Sequence, residues 1–298
     1  MASAREMRLR IRSIKNISQV TRALQAVSAT RVRKAQQQVL GTRPYSSKAW
    51  QVLTHIARQP GGAILHPLLL KRAEVKNILV ILITSDRGLA GAYNSNIVRF
   101  ALAQARALPA PVHFATLGRK GWDMVRRRGA AIAHVFDKTP GNPTFADLSA
   151  VGRLAVDEYL SGGADEVYLA YTNFVTLARQ TLAFKKLLPL EFEGHGELVM
   201  AEYTRPASGP QAAYIYEPDQ TALLDEIVPR FTALQVYQAV LEAQASEHAA
   251  RMVAMQNATD NANELVGTLR LAYNKARQTS ITSEMLDIAG GAEALAKA

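Results

Sequence analysis

The sequence predicts a mixed α/β protein in which two long terminal helices pair as a coiled coil and an open α/β domain is inserted between them. Three observations support this prediction. Apolar or small residues recur every three or four positions at both ends of the chain, which is the period of a coiled-coil seam. An unbroken apolar run at 77–84 is typical of a parallel strand covered on both faces. Predicted helices and strands alternate after that run.

The N-terminal helix is predicted from a stripe that neither proline nor glycine interrupts before Gly41. The stripe contains Met7, Ile11, Ile14, Ile17, Val20, Leu24 and Val27, and is prolonged by Ala35 and Val39. At about 1.5 Å per residue, this helix is expected to be about 55–60 Å long. Pro44 and Tyr45 are expected to follow it, before a separate short helix at about 47–58.

The C-terminal helix is predicted over about 231–295, with no proline after Pro229. Its seam consists of Leu234, Tyr237, Leu241, Ala245, His248, Met252, Met255, Thr259, Ala262, Val266, Leu269, Tyr273 and Ala276. A rod of roughly 90 Å is too long for a compact domain to cover, so it needs a partner. Pairing with the N-terminal helix is the economical interpretation, with the unmatched part free or inside another protein. The alternative is a helical bundle in which the stripe is ordinary core.

The inserted domain is predicted from alternating strands and helices. Strands are expected at 77–84, 112–117, 130–136 and 165–172, and helices at 92–107, 120–128 and 145–161. A fifth strand at 176–189 would be an antiparallel edge. This order suggests an open, Rossmann-like α/β sheet. The predicted domains are the N-terminal helix with the short helix at 1–58, the inserted domain at 74–193, a polar linker at 194–218 and the C-terminal helix at 219–298.

The positive charge is concentrated in the N-terminal helix. Residues 1–48 contain 11 Lys and Arg and one acid, Glu6, which equals the whole net charge of +10. We expect an acidic partner to face this helix: nucleic acid, a membrane surface or an acidic protein segment. An Arg-rich amphipathic N-terminus is also typical of a mitochondrial transit peptide, although the regular heptad stripe favours a permanent helix. A solvated basic face without a partner is the remaining alternative.

The sequence contains no recognisable catalytic motif. The turn at 85–91 follows the first buried strand, where doubly wound folds bind phosphates, but it matches neither glycine-rich phosphate motif. The six histidines are scattered without metal-ligand spacing, and there is no G-x-S-x-G elbow. The absence of cysteine excludes a disulfide framework and a thiol nucleophile. The residues by themselves therefore give no support for an enzyme, and we expect no cofactor or metal.

Four regions of the chain carry a family resemblance. They are RIRSIKNISQVTRAL (10–24) with AVSATRVRKAQ (26–36), ITSDRGLAGAYN (83–94), SEHAARMVAMQNATDNA (246–262) and YNKARQTSITSEMLDIAGGA (273–292). In order and spacing they resemble the gamma subunit of F-type ATP synthases, over essentially the whole chain. The resemblance implies an antiparallel coiled coil that acts as a rotor shaft inside a ring of alternating alpha and beta subunits. The α/β domain would lie near the epsilon subunit and the membrane c-ring.

The resemblance also implies a function and a location. Proton or sodium flow would turn the shaft and drive ATP synthesis or hydrolysis on the beta subunits, so that this chain transmits torque without catalysing a reaction. Its membrane association would be indirect, through a peripheral complex. That complex is expected at the cytoplasmic face of a bacterial plasma membrane rather than at the mitochondrial inner membrane.

The resemblance assigns several contacts with the beta subunit. Arg277 and Gln278 match the family's Arg-Gln pair that contacts a beta-subunit loop, and Thr282 lies nearby. The turn from Arg87 to Ala90 would lie close to an acidic beta-subunit loop, although many members have cysteine where Ala90 stands. Further candidate electrostatic contacts are Arg8, Arg10, Arg12, Arg31 and Arg33. The alternative for Arg277 is a solvated helix charge.

Two other functions compete with this interpretation. The first is a nucleic-acid-binding protein that uses the basic N-terminal helix. No aromatic residue precedes Tyr45 to stack on bases, which disfavours single-strand binding. The second is a nucleotide-dependent α/β enzyme, which the missing phosphate motif disfavours. We expect no nucleic acid partner.

Overall fold

The computed structural model describes residues 4–57, 66–190 and 220–296. The chain divides into two compact units. The terminal-helix unit comprises residues 1–28 and 251–298, and the central unit comprises residues 29–250. The predicted linker at 194–218 lies outside the described residues, and the domain boundaries predicted from the sequence stay predictions.

Five helices and five strands are described in these ranges. The helices are α1 (Ala4–Ala57), α2 (Tyr93–Ala107), α3 (Arg119–Arg127), α4 (Phe145–Ser161) and α5 (Gln220–Ala296). The strands are β1 (Ile78–Ile83), β2 (Val112–Leu117), β3 (Ile132–Phe136), β4 (Glu166–Phe174) and β5 (Gln180–Leu188). Pro67–Leu69 forms a short 3₁₀ turn. None of the described helices contains a segment long and apolar enough to cross a membrane.

The central unit is built on a mixed sheet of strand order β3-β2-β1-β4-β5. The strands β1 to β4 are parallel to one another, and β5 is antiparallel to β4. The sequence prediction of an open α/β sheet with an antiparallel edge strand is therefore confirmed. All six residues of β1 are buried, because this central strand has helices on both faces.

Two apolar layers cover the faces of the sheet. Side chains alternate across a strand, so Leu79, Ile81 and Ile83 pack into the layer that contains α4 and residues of α1 and α5. Ile78 and Val80 join the opposite layer, which contains α2 and α3. The strand β1 is therefore the middle strand of the sheet, and the 85–91 turn begins just after its carboxyl end.

Helix α1 does not end where the sequence predicted. It continues through Gly41 and Pro44 to Ala57 in one helix, so the predicted break and separate short helix are wrong. A proline inside a helix removes one hydrogen bond and crowds the preceding turn. Burial compensates for that cost, because Trp50 and Leu53 lie in the core. Trp50 also stacks on Phe231, with ring centroids 5.8 Å apart.

The terminal-helix unit is an antiparallel pair of helices. The hydroxyl groups of Thr21 and Thr259 are 2.6 Å apart, and Ser18 donates to Oδ1 of Asn263 at 2.9 Å. As the residue number on α1 rises, the number of the paired residue on α5 falls, so the two helices are antiparallel. The predicted α5 seam is confirmed in this unit, where its buried members include Met255, Thr259, Ala262 and Val266.

The predicted seam of α1 is partly wrong. Ile17, Val20 and Val27 are 52%, 60% and 49% exposed, whereas Ser18 and Thr21 are only 7% and 9% exposed. The buried positions in this part of α1 are therefore occupied by small hydroxyl side chains, and the larger apolar side chains lie on the exposed side of the helix. Small residues let the two helices approach closely, and their hydroxyl groups are satisfied by the hydrogen bonds across the seam. Apolar character alone therefore misplaced the seam at Ile17, Val20 and Val27, whereas the predicted members Ala35 and Val39 are buried.

Candidate partner interface

The 85–91 turn is held firmly to the sheet of the central unit. The backbone N–H of Ser85 donates to Oδ1 of Asn94 on α2 at 3.0 Å. The Asp86 carboxylate accepts the backbone N–H of Arg119 at 3.2 Å and of Thr139 at 3.0 Å. These bonds tie the turn to the connections that follow β2 and β3. The Asp86 side chain is thus used for structure, and the turn presents its tip from a fixed base.

The tip of this turn exposes Arg87 and Leu89 but not Ala90. Leu89 is 65% exposed, whereas Ala90 is 2% exposed. The φ angle of Leu89 is +63°, in the left-handed region that leucine rarely adopts. Such strain persists only where the surroundings impose it, and it is common at functional sites. The sequence did not identify Leu89, because nothing in its residue type signals a positive φ.

Two of the predicted contact arginines line one cavity of about 230 Å³ in the central unit. Arg31 comes from α1 and Arg87 from the 85–91 turn, so the fold brings together two residues that are far apart in the sequence. Glu247 and His248 of α5 line the same cavity. Arg33 is also exposed, but two residues along a helix turn it about 200° away from Arg31.

The cavity wall is fixed by hydrogen bonds between α5 and the sheet connections. The Tyr93 hydroxyl donates to the backbone oxygen of Ala243 at 3.0 Å. Nε2 of Gln244 donates to the backbone oxygen of Pro140 at 2.8 Å. These two bonds fix the wall of the cavity that Arg31 and Arg87 line.

The predicted contact residues of the terminal-helix unit differ in their surroundings. Arg8 donates to the Tyr273 hydroxyl at 2.6 Å and lies 5.5 Å from the centre of its ring. Arg10 forms an exposed ion pair of 2.7 Å with Glu6. Exposed pairs of this kind contribute little to stability, so both cations stay available to a stronger partner. Arg12 is exposed on the same helix.

Arg277, Gln278 and Thr282 are all exposed on α5. The Thr282 hydroxyl donates to the backbone oxygen of Gln278 at 2.9 Å. Both residues line a shallow groove of about 370 Å³. The seam pairs residue 8 with 273 and residue 18 with 263, so the first described residue of α1, Ala4, lies near the level of Arg277. Beyond this point α5 has no described residue of α1 beside it.

The unmatched end of α5 carries large apolar side chains in water. They are Ile281, Met285, Leu286 and Ile288, all at least 48% exposed. Contiguous exposed apolar groups of this size are typical of surfaces that bind another protein. Within the described ranges, no group of three His, Asp or Glu side chains could hold a metal ion.

Comparison with known proteins identifies the family. A family model described as ATP synthase matches residues 3–295. The ATP synthase gamma chain of Dehalococcoides mccartyi strain CBDB1 is 44% identical over 297 residues, covering 99% of this chain and 100% of the relative. That of Chloroflexus aurantiacus is 42% identical over 299 residues, covering 99% of each chain.

Solved structures share the fold. The chain is similar to one in the rotor of the Euglena gracilis mitochondrial ATP synthase in rotational state 1, with a TM-score of 0.63 and 22% identity over 93% of this chain and 98% of that one. It is also similar to one in the F1 and c-ring assembly of that synthase in rotational state 3, with a TM-score of 0.66 and 22% identity over 98% and 94%.

The family match over residues 3–295 thus places the chain among the ATP synthase proteins. The chain belongs to the ATP synthase gamma chain family, as its full-length identity to the curated gamma chains shows. The resemblance found in the sequence is confirmed. The curated relatives named here are bacterial, and the comparisons offer no support for the nucleic-acid-binding alternative.

Proposed function

We propose that the chain is the central-stalk rotor subunit of an F-type ATP synthase. It couples proton- or sodium-driven rotation to ATP synthesis or hydrolysis on the beta subunits. One observation carries the proposal: the chain aligns with curated gamma chains over 99% of its own length and 100% of theirs, at 44% identity. Its partners are then the alpha, beta and epsilon subunits and the membrane c-ring, with no nucleic acid.

The chain itself is not catalytic in this proposal. It changes the state of a beta subunit through contacts that differ between rotary positions, which is the only way in which one chain can shift a conformational equilibrium in another. The nucleotide chemistry belongs to the surrounding ring. The chain is associated with the membrane indirectly, through the c-ring of the complex. It lies on the cytoplasmic face of a bacterial plasma membrane.

Two groups of proposed contacts with the beta subunit come from the matched family motifs. Arg277, Gln278 and Thr282 lie on the end of α5 that has no described partner, where a guanidinium fork can bind a carboxylate with two hydrogen bonds. Arg87 and Ala90 belong to the 85–91 turn. Because the methyl group of Ala90 is buried, Ala90 acts by holding the turn while Arg87 and Leu89 make the contact.

The other proposed contacts are electrostatic. They are Arg8, Arg10, Arg12, Arg31 and Arg33. All five are exposed on α1, which carries the excess positive charge of the chain. Exposed charges of this kind guide association and orientation more than they add affinity.

The double variant Arg277→Ala/Gln278→Ala tests the assigned contact in the assembled complex. A charge-assisted hydrogen bond contributes about 1.5–3 kcal/mol, so we expect ATP-driven ion pumping per ATP hydrolysed to fall by roughly tenfold or more, while nucleotide binding is unchanged. Pumping is measured in inverted membrane vesicles, and ATP hydrolysis is measured in parallel.

The matched control is Arg106→Ala/Gln104→Ala, which removes the same chemical groups from exposed positions of α2. Co-purification of alpha and beta subunits must be equal for the two variants. Unchanged pumping in the Arg277→Ala/Gln278→Ala complex would count against the contact. A parent chain that recovers no alpha or beta subunits would contradict the proposed function itself.

A further inference from the structure

Helix α3 ends in three consecutive arginines, which we call the arginine cluster. Arg126 and Arg127 belong to its last turn, and Arg128 is its C-cap. All three side chains are exposed. Within the described ranges none of them forms an ion pair. The cluster lies outside the basic N-terminal helix, and the proposed contacts with the beta subunit do not include it.

The arginine cluster lies at the end of the sheet where the parallel strands begin. The strands β2 and β3 are parallel, and α3 connects the carboxyl end of β2 to the amino end of β3. The first turn of α3 lies beside the 85–91 turn, because the backbone N–H of Lys120 donates to the backbone oxygen of Ser85 at 3.0 Å. The helix therefore starts at the 85–91 turn, and its arginines lie at the opposite end of the sheet.

The helix that carries the cluster is fixed to the sheet. The backbone N–H of Gly121 donates to Oγ1 of Thr84 at 2.9 Å, and a Cβ at Gly121 would overlap that side chain. Val125 is fully buried in the apolar layer that contains α2 and α3. Gly129 then ends the helix with a φ of +70°. The three guanidinium groups are therefore presented from a rigid support.

The helix itself does not account for three cations. A helix C-terminus carries about half a negative elementary charge, which one cation neutralises. One acid of α3, Asp123, lies a turn before the cluster, and within the described residues it forms no ion pair with the arginines. Even if Asp123 is counted against them, the cluster keeps an excess of positive charge.

Acids at this end of the sheet are already paired with other cations. They begin or precede the strands and form these ion pairs: Glu74 with Lys76 at 3.2 Å, Asp165 with Arg72 at 3.4 Å and Glu166 with Lys186 at 2.9 Å. The positive charge of the arginine cluster is therefore left for a molecule outside the chain.

The proposed function orients the cluster. In that proposal the 85–91 turn contacts a beta subunit, and the chain joins the ring of alpha and beta subunits to the c-ring. The end of the sheet opposite the 85–91 turn then points away from the ring and towards the membrane. The arginine cluster lies at that end.

The arrangement of the cluster fits a layer of lipid headgroups. Successive residues of a helix point about 100° apart, so one carboxylate cannot bind all three guanidinium groups. Headgroups move independently in a fluid layer, and each guanidinium can bind a phosphate with two hydrogen bonds. Arg126 lies 5.0 Å from the ring centre of half-buried Trp122. Tryptophan is enriched where a membrane meets water.

We propose that the arginine cluster binds the phosphate headgroups of anionic phospholipids at the membrane surface. The proposal rests on the proposed function, which directs this end of the sheet towards the membrane. It gives the central unit a direct contact with lipid in addition to the indirect association through the c-ring. Nucleic acid also carries phosphates, but the Trp122 ring under Arg126 is poorly placed to stack on a base.

Vesicle flotation with the purified complex tests the lipid contact. The complex contains this chain with the alpha, beta and epsilon subunits and lacks the c-ring, so that no membrane-embedded chain can anchor it. We expect it to float with phosphatidylcholine vesicles that contain phosphatidylglycerol, and not with phosphatidylcholine alone. Each cation near an anionic surface adds to the attraction, so Arg126→Gln/Arg127→Gln/Arg128→Gln should weaken binding by roughly tenfold or more.

A charge-matched variant separates the cluster from the net charge of the chain. Arg153→Gln/Arg179→Gln/Arg230→Gln removes three charges from exposed positions of α4, the β4–β5 connection and α5. This variant should bind anionic vesicles as the parent does. Equal recovery of alpha and beta subunits shows that each variant assembles.

A charge-conserving variant separates a lipid surface from a protein partner with a defined shape. Arg126→Lys/Arg127→Lys/Arg128→Lys should bind anionic vesicles within about threefold of the parent, because a headgroup layer attracts both kinds of cation. A partner that needs guanidinium forks would instead lose its contact. Loss of vesicle binding in this variant would overturn the lipid proposal.

Trp122 provides a local readout. Energy transfer from tryptophan to a dansyl-labelled lipid headgroup is compared between the parent complex and Trp122→Phe. We expect a transfer signal that needs both Trp122 and phosphatidylglycerol. The other tryptophan of this chain, Trp50, is buried and is present in both complexes, so it cancels in the difference. No difference between the two complexes would place the lipid elsewhere and overturn the proposal.

The failures of the two proposals are distinguishable. An assembled parent complex that does not float with anionic vesicles would overturn the lipid contact and leave the proposed function standing. Equal flotation of the parent and the Gln variant of the cluster would overturn it as well, as would binding of duplex DNA without binding of vesicles. A parent chain that recovers no alpha or beta subunits would contradict the proposed function.

Discussion

Gly152 sets the distance between two helices of the central unit. A Cβ at this position of α4 would lie 2.6 Å from the Cβ of Ala233 on α5, closer than real carbon atoms approach. The variant Gly152→Val should therefore destabilise the chain by about 1–3 kcal/mol, because overpacking forces the helices apart. Gly141→Val is the matched control, since no atom lies within 4 Å of that site. Equal urea midpoints for the two variants would show that the helices separate without cost.

His66 makes stability depend on pH. Its Nδ1 accepts the N–H of Leu68 at 3.1 Å, and its Nε2 lies 3.5 Å from Asp225. Burial lowers the pKa of His66 below its usual 6.5, and the Asp225 charge opposes this only in part. Between the two pKa values, the unfolded chain therefore binds a proton at His66 that the folded chain does not bind. The contribution of neutral His66 to the free energy of unfolding is fully present above pH 6.5. It decreases as the pH falls from 6.5 to the lowered pKa.

The variant His66→Asn should weaken this pH dependence. Asparagine keeps an acceptor for the N–H of Leu68 but cannot titrate. We expect the parent chain to lose stability faster than the variant between pH 7 and 5.5, by at most about 1.4 kcal/mol per pH unit. Urea unfolding at several pH values provides the measurement. Parallel pH profiles for the two chains would exclude His66 as the cause.

At the scale of elements, the seam of the terminal-helix unit is held by paired hydroxyl groups. Thr21 and Thr259 are 2.6 Å apart, and Thr259 also donates to the backbone oxygen of Met255 at 2.8 Å. Replacing one threonine by valine removes the hydrogen bond across the seam, while the remaining hydroxyl keeps its backbone acceptor, at a cost of about 0.5–1.5 kcal/mol. Replacing both threonines removes both hydroxyl groups, so the hydrogen bond across the seam is lost only once.

A double-mutant cycle measures this coupling. We expect Thr21→Val/Thr259→Val to be less destabilising than the sum of the single variants, by about 0.5–1.5 kcal/mol. Thermal unfolding followed by circular dichroism gives the three values. Strictly additive effects would mean that the two hydroxyl groups do not stabilise the seam together.

The seam also shows which elements the sequence could and could not predict. The α5 seam was predicted correctly because its members are mostly apolar or small, and the buried run of β1 identified the sheet. The α1 seam was mistaken at Ile17 and Val20, since a polar seam beside an apolar outer face reverses the usual pattern. The continuation through Pro44 was missed because the compensating burial of Trp50 is a tertiary effect.

The candidate interface was less predictable than the fold. Motif resemblance predicts Arg87 and Arg277 as contacts, which stays a prediction, and residue spacing could not show that Arg31 and Arg87 line one cavity. That pairing depends on the packing of α1 and α5 beside the sheet. Leu89 was missed because its φ is imposed by the turn, and the inclusion of Ala90 did not anticipate its burial.

On the scale of the whole molecule, exposed apolar groups should govern the behaviour of the free chain. Leu9, Leu271 and Met285 are all more than 60% exposed. We expect the isolated chain to bind a hydrophobic dye and to self-associate, since surfaces of this kind are normally covered by a partner. The assembled complex should bind far less dye per chain. A free chain that is monomeric, does not bind dye and melts cooperatively would contradict this expectation.

The hydrogen bond between Thr21 and Thr259 joins residues 238 positions apart in the sequence. A ribosome that adds about 5–20 residues per second needs roughly 12–50 s to make that interval. During this time the first helix has left the ribosome while the segment that covers its seam does not yet exist. Most of the stability of a helix in a protein comes from tertiary packing, which this helix lacks until its partner is made. We therefore expect the nascent N-terminus to stay without its partner helix for that interval, and interrupted translation to leave it unpaired.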